Sequence, residues 1–433
     1  MGRRGWDFWP VLLLASFASA HDTEGRTYRV VFPRNFEITS TNCSLSIIMM
    51  NRNETKDVRA SITYYSRFLD LTSLNTTYYT VDAKGFLEIS FPHFDAWEYM
   101  NGGWQDQFDT RIVITSDGDL TVLAQNMHRD GYGDIFLVLP QSMAGTSYAL
   151  TLPPAASMQK GANQYTVVYF LPTRKDVDIT LNVNGREYKR TAKFSLGTDL
   201  TYFSVLHSFR NEPTTLYITG SAPFLVTAAV TCLQTTSRTC DYAAFMPTPV
   251  PDTNCSHSDG FFDIHPTDLT TTRSFSLTPS SQDCPSTASL FNDASSASTP
   301  IDGSLLSIPS LFVRVGGLPS QGGAFLSTLP SRSQFVSGSV SFLTKASSDT
   351  LYIVASSLSA LTMSLDEKQI QFSHEVIIIN KAQYSFAVVK VLSPGMHVLS
   401  ADHGDFIFYV VGSLRPSHLY GYYPAFGSQA GHK

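Results

Sequence analysis

The sequence predicts an all-β protein built from tandem β-sandwich-like units, and three observations support this prediction. Apolar and polar residues alternate with a period of two, as in Val177–Val183, and Asn184-Gly185 then supplies a two-residue hairpin turn. Charged residues make up only 15% of the 433 residues, while Ser, Thr, Tyr and Phe are abundant, which suits half-buried strands. The pattern contains no long amphipathic helix.

The chain is longer than one hydrophobic core usually serves, since single cores stop growing at roughly 250 to 300 residues. We expect an N-terminal β region at 27–245, made of two sandwich-like units at about 27–127 and 147–245. Residues 246–300 are rich in Ser, Thr and Pro and are expected to form a linker or long loop. A C-terminal β unit at 301–425 and a tail at 426–433 complete the organisation.

A short phrase recurs three times and supports a repeat. Ile114–Val122, Ile218–Val226 and Leu399–Ile407 each place a polar or glycine-containing segment between two apolar segments. We interpret each copy as a hairpin, in which one strand ends, the chain turns, and a second strand begins with a large apolar residue. The copies therefore predict a hairpin at the close of each of three units.

The first 20 residues have the features of a secretory signal peptide. Arg3 and Arg4 precede an apolar run, and Ala18-Ser19-Ala20 forms a cleavage site with small residues. No later stretch reaches the roughly 18 to 20 apolar residues of a membrane helix, so no membrane span is expected. The sequence has no basic stripe, and nucleic acid is not an expected partner. These features predict a secreted, extracellular protein.

Export makes disulfide bonds possible, and the chain has five cysteines. Cys232 and Cys240 are separated by seven residues, and we expect a local bond between them. A second bond, between Cys255 and Cys284, would then bridge the linker region, and Cys43 would be the odd cysteine. The odd count also allows a disulfide-linked oligomer.

Four Asn-x-Ser/Thr tripeptides agree with export, because this sequence is the acceptor for N-linked sugar in secreted proteins. The predicted glycosylation sites are Asn42, Asn53, Asn75 and Asn254. Each marks a surface position if it is used.

Motifs that could carry chemistry have simpler interpretations here. His128-Arg129-Asp130 copies a tripeptide of protein kinases, but the other kinase motifs are missing, and we interpret it as a polar turn between two strands. Asp263, His265 and Asp268 could ligate a cation but are expected to form a solvated loop. We expect no catalytic site, no metal and no cofactor.

An enzymatic alternative depends on the predicted cleavage after Ala20, which would leave His21 as the mature N-terminus. Copper monooxygenases bind copper with such a terminal histidine and a second one, for which His93, His128 or His207 could serve. This alternative predicts a secreted copper-dependent oxidative enzyme.

Several phrases resemble the N-terminal region of the IgG Fc-binding protein family. They are the segment from Ile114 to Leu150 with its Asp134–Pro140 phrase, the segment Cys232–Pro247, and the endings Pro394–Leu399 and Tyr420–Pro424. The Cys-rich von Willebrand D modules that follow this region in larger members do not occur in the sequence. The resemblance implies an extracellular role in binding or adhesion at a mucus or cell surface, without catalytic residues.

The sequence therefore predicts a secreted binding or adhesion protein that recognises a protein or glycan partner at a mucus, matrix or cell surface. Two alternatives are the copper-dependent enzyme that uses His21 and a structural matrix component linked by disulfides.

Replacing Cys232 with Ser should destabilise the protein if the predicted bond to Cys240 exists. A short closed loop typically contributes about 2 to 3 kcal/mol by restricting the unfolded chain. Urea unfolding of Cys232→Ser and of the wild type measures the difference. A free thiol at Cys240 in the native protein would remove the basis for this expectation.

Overall fold

The computed structural model describes most of the chain and confirms the all-β fold. Strands dominate the described part, in which α1 (Ser357–Thr362) and two 3₁₀ turns, Gln141–Met143 and Arg332–Gln334, are the helical elements. The described residues are 22–35, 43–68, 71–91, 102–128, 133–156, 164–207, 212–234, 240–250, 261–262, 272–279, 306–307, 310–317, 323–330, 332–372, 376–379, 382–415 and 418–427. The predicted signal peptide lies outside them.

The first unit is a sheet of seven strands. Its strands are β1 (Gly25–Val30), β2 (Cys43–Asn51), β3 (Val58–Phe68), β4 (Leu71–Val81), β5 (Gly85–Phe91), β7 (Ile112–His128) and β8 (Gly133–Val138). Their order is β4-β3-β7-β2-β5, and β1 and β8 also pair with β7. All pairs are antiparallel.

The second unit is an eight-stranded sheet with the same central order. Its strands are β6 (Gly103–Gln107), β9 (Gly145–Leu152), β10 (Tyr165–Pro172), β11 (Val177–Val183), β12 (Arg186–Ala192), β13 (Leu200–Leu206), β14 (Thr214–Gln234) and β15 (Cys240–Phe245). The order is β12-β11-β14-β10-β13-β6, and β9 and β15 also pair with β14. The strand predicted at Val177–Val183 is β11, followed by Asn184 and Gly185 at positive φ.

Between the second and third units the described residues form two small sheets. Their strands are β16 (Phe261–Phe262), β17 (Thr272–Pro279), β18 (Leu306–Ser307), β19 (Ser310–Gly316) and β20 (Phe325–Thr328). β16 pairs with β18, and the other three strands form the sheet β17-β19-β20, here called the insert sheet. Ser276 and Thr278 of β17 are buried and hydrogen-bond to Thr151 of β9. Part of the segment expected to be a linker is therefore a packed strand.

The third unit repeats the arrangement. Its strands are β21 (Val336–Thr344), β22 (Thr350–Ser356), β23 (Ser364–Leu365), β24 (Lys368–Gln369), β25 (Val376–Ile379), β26 (Ala382–Lys390), β27 (Gly395–Arg415) and β28 (His418–Tyr422). The order is β24-β23-β27-β22-β26-β25, with β21 and β28 also paired to β27. Each unit thus has one long strand at its centre, which is β7, β14 or β27.

Each long strand passes through two halves of its unit. In β7, Ile112–Ser116 pair with β1 and β3, whereas Thr121–His128 pair with β2 and β8. The same change of partners occurs after residue 220 in β14 and after residue 401 in β27. The pairings of β1, β9 and β21 with the long strands also carry a register shift beside this point. The three units therefore share both their strand order and the position of the crossing.

The hairpins predicted from the recurring phrase are wrong, because the three copies lie in the middle of β7, β14 and β27. Each strand continues through the polar segment without a turn. The polar and glycine residues occur there because the strand leaves one set of partners and enters another, which requires a bend. Just after the bend, the carbonyl groups of Leu120 and Phe224 accept hydrogen bonds from the hydroxyl groups of Tyr28 and Tyr148.

One large apolar core extends through all three units. It includes Ile47 of the first unit, Tyr169 of the second and Phe408 of the third, each at most 1% exposed. A second core fills the rest of the second unit and includes Val313 and Leu326 of the insert sheet. The units therefore pack against each other through apolar side chains.

A buried ion pair joins the first unit to the second. The guanidinium of Arg111 and the carboxylate of Asp109 are both fully buried and form two short contacts, Nε to Oδ1 at 2.7 Å and Nη2 to Oδ2 at 2.8 Å. Arg111 also donates to the carbonyl of Ser195, and the amide of Gly197 donates to Asp109. The pair therefore fixes the 193–198 loop of the second unit against the start of β7.

Replacing Asp109 with Asn should lower the free energy of unfolding by about 3 to 5 kcal/mol, because it leaves a buried guanidinium without its counter-charge. Urea unfolding measures the change. The control is Asp106→Asn, which removes the charge of Asp106 from its partly exposed pair with Arg190, whose side chain is 48% exposed, and should cost about 0 to 1 kcal/mol. Equal losses in the two variants would contradict the expectation.

Candidate functional site

The last strands of the three units meet, and they share a pattern of seven residues. In β8 the pattern runs from Asp134 to Pro140, in β15 and the following residues from Asp241 to Pro247, and in β28 and the following residues from His418 to Pro424. The first position is Asp, Asp or His, and the last is Pro. β8 contacts both β15 and β28. The three first positions thus belong to equivalent strands that converge.

The carboxylate of Asp241 connects these strands. Its Oδ1 accepts hydrogen bonds from the amides of Gly133 at 3.0 Å and Tyr242 at 2.9 Å, and its Oδ2 accepts from Ala324 at 3.2 Å and Leu419 at 3.3 Å. The donors come from β8, β15, β28 and the residue before β20. One fully buried side chain therefore links the last strand of every unit to the insert sheet.

Asp134 lies at the equivalent position of the first unit and makes a similar set of bonds. Its Oδ1 accepts from the amide of Ile135 at 2.8 Å and its Oδ2 from that of Ala244 at 3.1 Å. The Nδ1 atom of His418 lies 3.9 Å from Asp241 Oδ1. We call Asp134, Asp241 and His418 the closing junction.

Burial raises the pKa values of the two carboxyl groups in the closing junction. Loss of water raises the pKa of Asp241 to about 8, although its backbone N–H donors oppose the shift. Burial raises the pKa of Asp134 well above its ordinary value, and the charge of Asp241 adds to this effect. The two carboxyl groups therefore titrate as a coupled pair that holds a proton at neutral pH.

A small cavity lies beside the closing junction, between the same strands. Its walls include Phe136, Phe245, Leu326 and Tyr422, and its volume is about 30 Å³. Pockets that bind drug-sized ligands measure about 300 to 1,000 Å³, so this cavity is much smaller than such a pocket. The hydrogen bonds of the junction join strands of all three units and give it a structural role.

The surface of the first unit offers a different kind of site. β3 and β4 form a hairpin paired from Val58↔Val81 to Phe68↔Leu71. Its inner face carries Ala60 and Ile62, which enter the core. Its outer face, here called the hairpin face, turns toward solvent. The described side chains of the hairpin face are Arg59, Ser61, Thr63, Tyr65, Leu74, Thr76, Tyr78 and Thr80.

The hairpin face combines exposed apolar groups with ordered hydroxyl groups. Tyr78 is 80% exposed and Leu74 is 53% exposed. Between them, the hydroxyl oxygens of Thr63 and Thr76 lie 3.0 Å apart, and those of Ser61 and Thr115 of β7 lie 2.6 Å apart. Cross-strand pairs hold these side chains on a rigid sheet. A flat surface with a central tyrosine and several hydroxyl groups can bind a partner by contact and hydrogen bonds.

β4 is also the edge of its sheet, since it pairs only with β3 among the strands that the structure describes. Its eleven residues contain no charged residue and no proline. The equivalent edge strand in the second unit, β12, carries Arg186, Glu187, Lys189 and Arg190 in seven residues. In the third unit the equivalent strand, β24, has only two residues. Charged side chains and short length both prevent an edge strand from pairing with another chain, and β4 is neither charged nor short.

The predicted disulfide residues are only partly within the described chain. Cys232 is fully buried on β14, and Cys240 begins the neighbouring strand β15, where it pairs in register with Gln234. Cys255 and Cys284 lie outside the described residues. Both pairings stay predictions.

Two of the four predicted glycosylation sites lie in the described chain. Asn53 is exposed in the connection from β2 to β3, where its Oδ1 accepts from the amides of Thr55 and Lys56. Asn75 lies half-buried on β4 and donates to Ser66. Asn42 and Asn254 fall outside the described residues. Attachment of sugar stays a prediction at all four.

Two of the histidines considered for copper, His128 and His207, lie in the described chain. His21 and His93 lie outside it. His128 ends β7 in the first unit, whereas His207 follows β13 in the second, with its Nε2 2.9 Å from the hydroxyl of Thr166. No group of three or more metal-binding side chains occurs among the described residues. His128 is the last residue of β7, and the next strand, β8, is antiparallel to β7. The polar turn predicted at His128-Arg129-Asp130 falls between these strands, but Arg129 and Asp130 lie outside the described residues.

The closing junction was missed at the sequence level, although a signal was present. The phrases that end in Pro140, Pro247 and Pro424 are three copies of one pattern, with a titratable residue six positions before the proline. Aligning the phrases with one another would have singled out Asp134, Asp241 and His418.

Comparison with known proteins adds little. No protein-family profile and no curated protein matches the sequence, so the resemblance to the IgG Fc-binding family is not confirmed. A solved structure, the partial N-terminal region of an enterococcal surface protein, covers 76% of this chain and 91% of its own with 9% identity and a TM-score of 0.19. Within the described residues, no helix has the length and apolar character needed to cross a membrane.

The closing junction should make stability depend on pH. Because the folded-state pKa values exceed those of the unfolded chain, the folded protein holds a proton that the unfolded chain releases above pH 3.8. The free energy of unfolding should therefore fall as the pH rises from about 4 to about 8, by at most about 1.4 kcal/mol per pH unit for each proton.

Urea unfolding across this range tests the dependence. Asp134→Asn should make the slope shallower, because it removes one of the two coupled carboxyl groups. Asp176→Asn is the control, since Asp176 is exposed and its pKa is lowered by hydrogen bonds from the Phe194 amide and Lys193. An unchanged slope in Asp134→Asn would show that the junction is not the source.

Proposed function

We propose that this protein is a secreted, extracellular binding protein of the adhesion type, and that it recognises a protein or glycan partner through the hairpin face. The observation that carries the proposal is the exposure of Tyr78 and Leu74 beside ordered threonine and serine hydroxyl groups on a rigid sheet. Isolated exposed apolar residues are common, but a tyrosine among hydroxyl groups has the composition of a recognition surface.

The rigidity of the hairpin favours binding. β3 is paired on both sides, with β4 along its whole length and with β7 from Ala60 to Tyr64. Tyr65 is also held against Phe108 in an edge-on ring contact. Side chains that are ordered before binding lose little conformational entropy when the partner arrives. The hairpin face is therefore suited to a partner with a flat complementary surface.

Binding is favoured over catalysis by the use that the interior makes of its acids. Asp109, Asp134 and Asp241 are buried and accept hydrogen bonds that join the units. A catalytic acid needs access to a substrate. Export of the protein is proposed from its N-terminal sequence, which has the features of a signal peptide.

The proposal is tested with purified secreted protein on two surfaces, a glycan array and a panel of immobilised mucin, collagen and immunoglobulin Fc. We expect saturable binding to at least one surface. Tyr78→Ala should weaken it about tenfold or more, as loss of a central aromatic contact does. Leu74→Ser should weaken it less, because leucine contributes smaller contacts.

The matched control for Leu74→Ser is Leu392→Ser, which replaces a leucine that is 85% exposed in the third unit. This variant should bind like the wild type. The hairpin face would be excluded as the binding site if Tyr78→Ala and Leu392→Ser bound equally well. Absence of binding to every surface would count against the adhesion role itself.

A further inference from the structure

We propose that two copies of this chain associate through β4, which pairs antiparallel with β4 of the second copy in a register centred on Thr76. The pairing would join the two first-unit sheets into one continuous sheet. It goes beyond the recognition role and does not depend on it. The inference is drawn from the unprotected edge and from the sequence of β4 itself.

The residues of β4 are arranged symmetrically about Thr76. Leu74 lies two positions before it and Tyr78 two positions after it. In an antiparallel pair centred on Thr76, Leu74 of each copy lies opposite Tyr78 of the other. Among the described side chains of β4, these two large apolar groups are the most exposed in the single chain, at 53% and 80%. Aromatic and aliphatic residues directly opposite each other stabilise antiparallel pairs, and this register forms two such contacts.

The other pairs in this register are compatible. Thr76 lies opposite its own copy, so that two hydroxyl groups meet at the centre. No charge is brought into the interface, since β4 has none. An edge strand also directs the N–H and C=O groups of alternate residues outward, where a second strand can satisfy them. The edge is therefore complementary to itself in both backbone and side chains.

The other two units show what a protected edge looks like in this chain. β12 and β24 occupy the same place in the strand order as β4. β12 presents four charged residues in seven, and β24 is two residues long. The two units that share the fold of the first thus carry the features that prevent edge pairing. Only β4 among these three strands combines length with neutrality.

The interface would be small, because it consists of one strand from each copy. Interfaces of this size give weak, concentration-dependent association. The predicted glycosylation site at Asn75 adjoins the centre of the register, so a sugar there would hinder pairing. The test is therefore made in the full chain with Thr77→Ala, which removes the acceptor tripeptide. This protein is called the parent.

Sedimentation velocity measures the association state over a range up to about 100 μM, where weak dimers form. We expect the weight-average mass of the parent to rise from that of one chain toward that of two. Thr76→Lys and Thr76→Glu, each added to the parent, should remain monomeric because like charges then face each other at the centre. An equimolar mixture of the two variants should again form dimers, because opposite charges then meet.

The mixture separates loss of pairing from damage to the fold, since a damaged chain would not regain association. Thr191→Lys on β12 is the matched control and should dimerise like the parent. The proposal is overturned if the parent stays monomeric, if either single-charge variant still dimerises, or if the mixture fails to dimerise. Because the readout is mass, its outcome is independent of binding to glycan or protein surfaces.

Discussion

The arrangement of the three units depends on one buried carboxylate, that of Asp241. Its two oxygens accept backbone N–H groups from the last strands of all three units and from the residue before β20. A buried polar group is costly unless it is fully hydrogen-bonded, so each donor must stay in place. Moving any one unit would leave an acceptor or a donor unsatisfied. The apolar core that crosses all three units then packs around a fixed centre.

Some strands were predictable from the sequence because they have a polar and an apolar side. Val177–Val183 alternates along its whole length, and the following Asn-Gly matches the positive φ values of its turn.

The recurrence of one phrase also revealed that the chain repeats. Its interpretation was wrong because glycine and polar residues suit a bend as well as a turn. Whether Asp117–Asp119 ends a strand depends on partners from β1, β2, β3 and β8, and no local pattern records these.

The closing junction could not be found by local reasoning for a related reason. Asp134, Asp241 and His418 are each more than 100 residues apart, and acidic residues are ordinarily exposed. Nothing near Asp241 in sequence indicates that its donors include Gly133 and Leu419. The hairpin face could not be recognised from the sequence for the same reason. Thr76 and Tyr78 alternate like the residues of any strand, and only the strand order shows that β4 has a single neighbour among the described strands.

The three units share their strand order but differ at their sheet edges, and this contrast supports the proposed contact through β4. The positions that fix the strand order, such as the bends of β7, β14 and β27, are used in the same way in each unit. The edges at equivalent places differ in length and charge. Because a charged or short edge folds equally well in this arrangement, the fold does not require β4 to be long and neutral. A feature that the fold does not require, and that elsewhere in the same chain is avoided, is best explained by contact with another molecule.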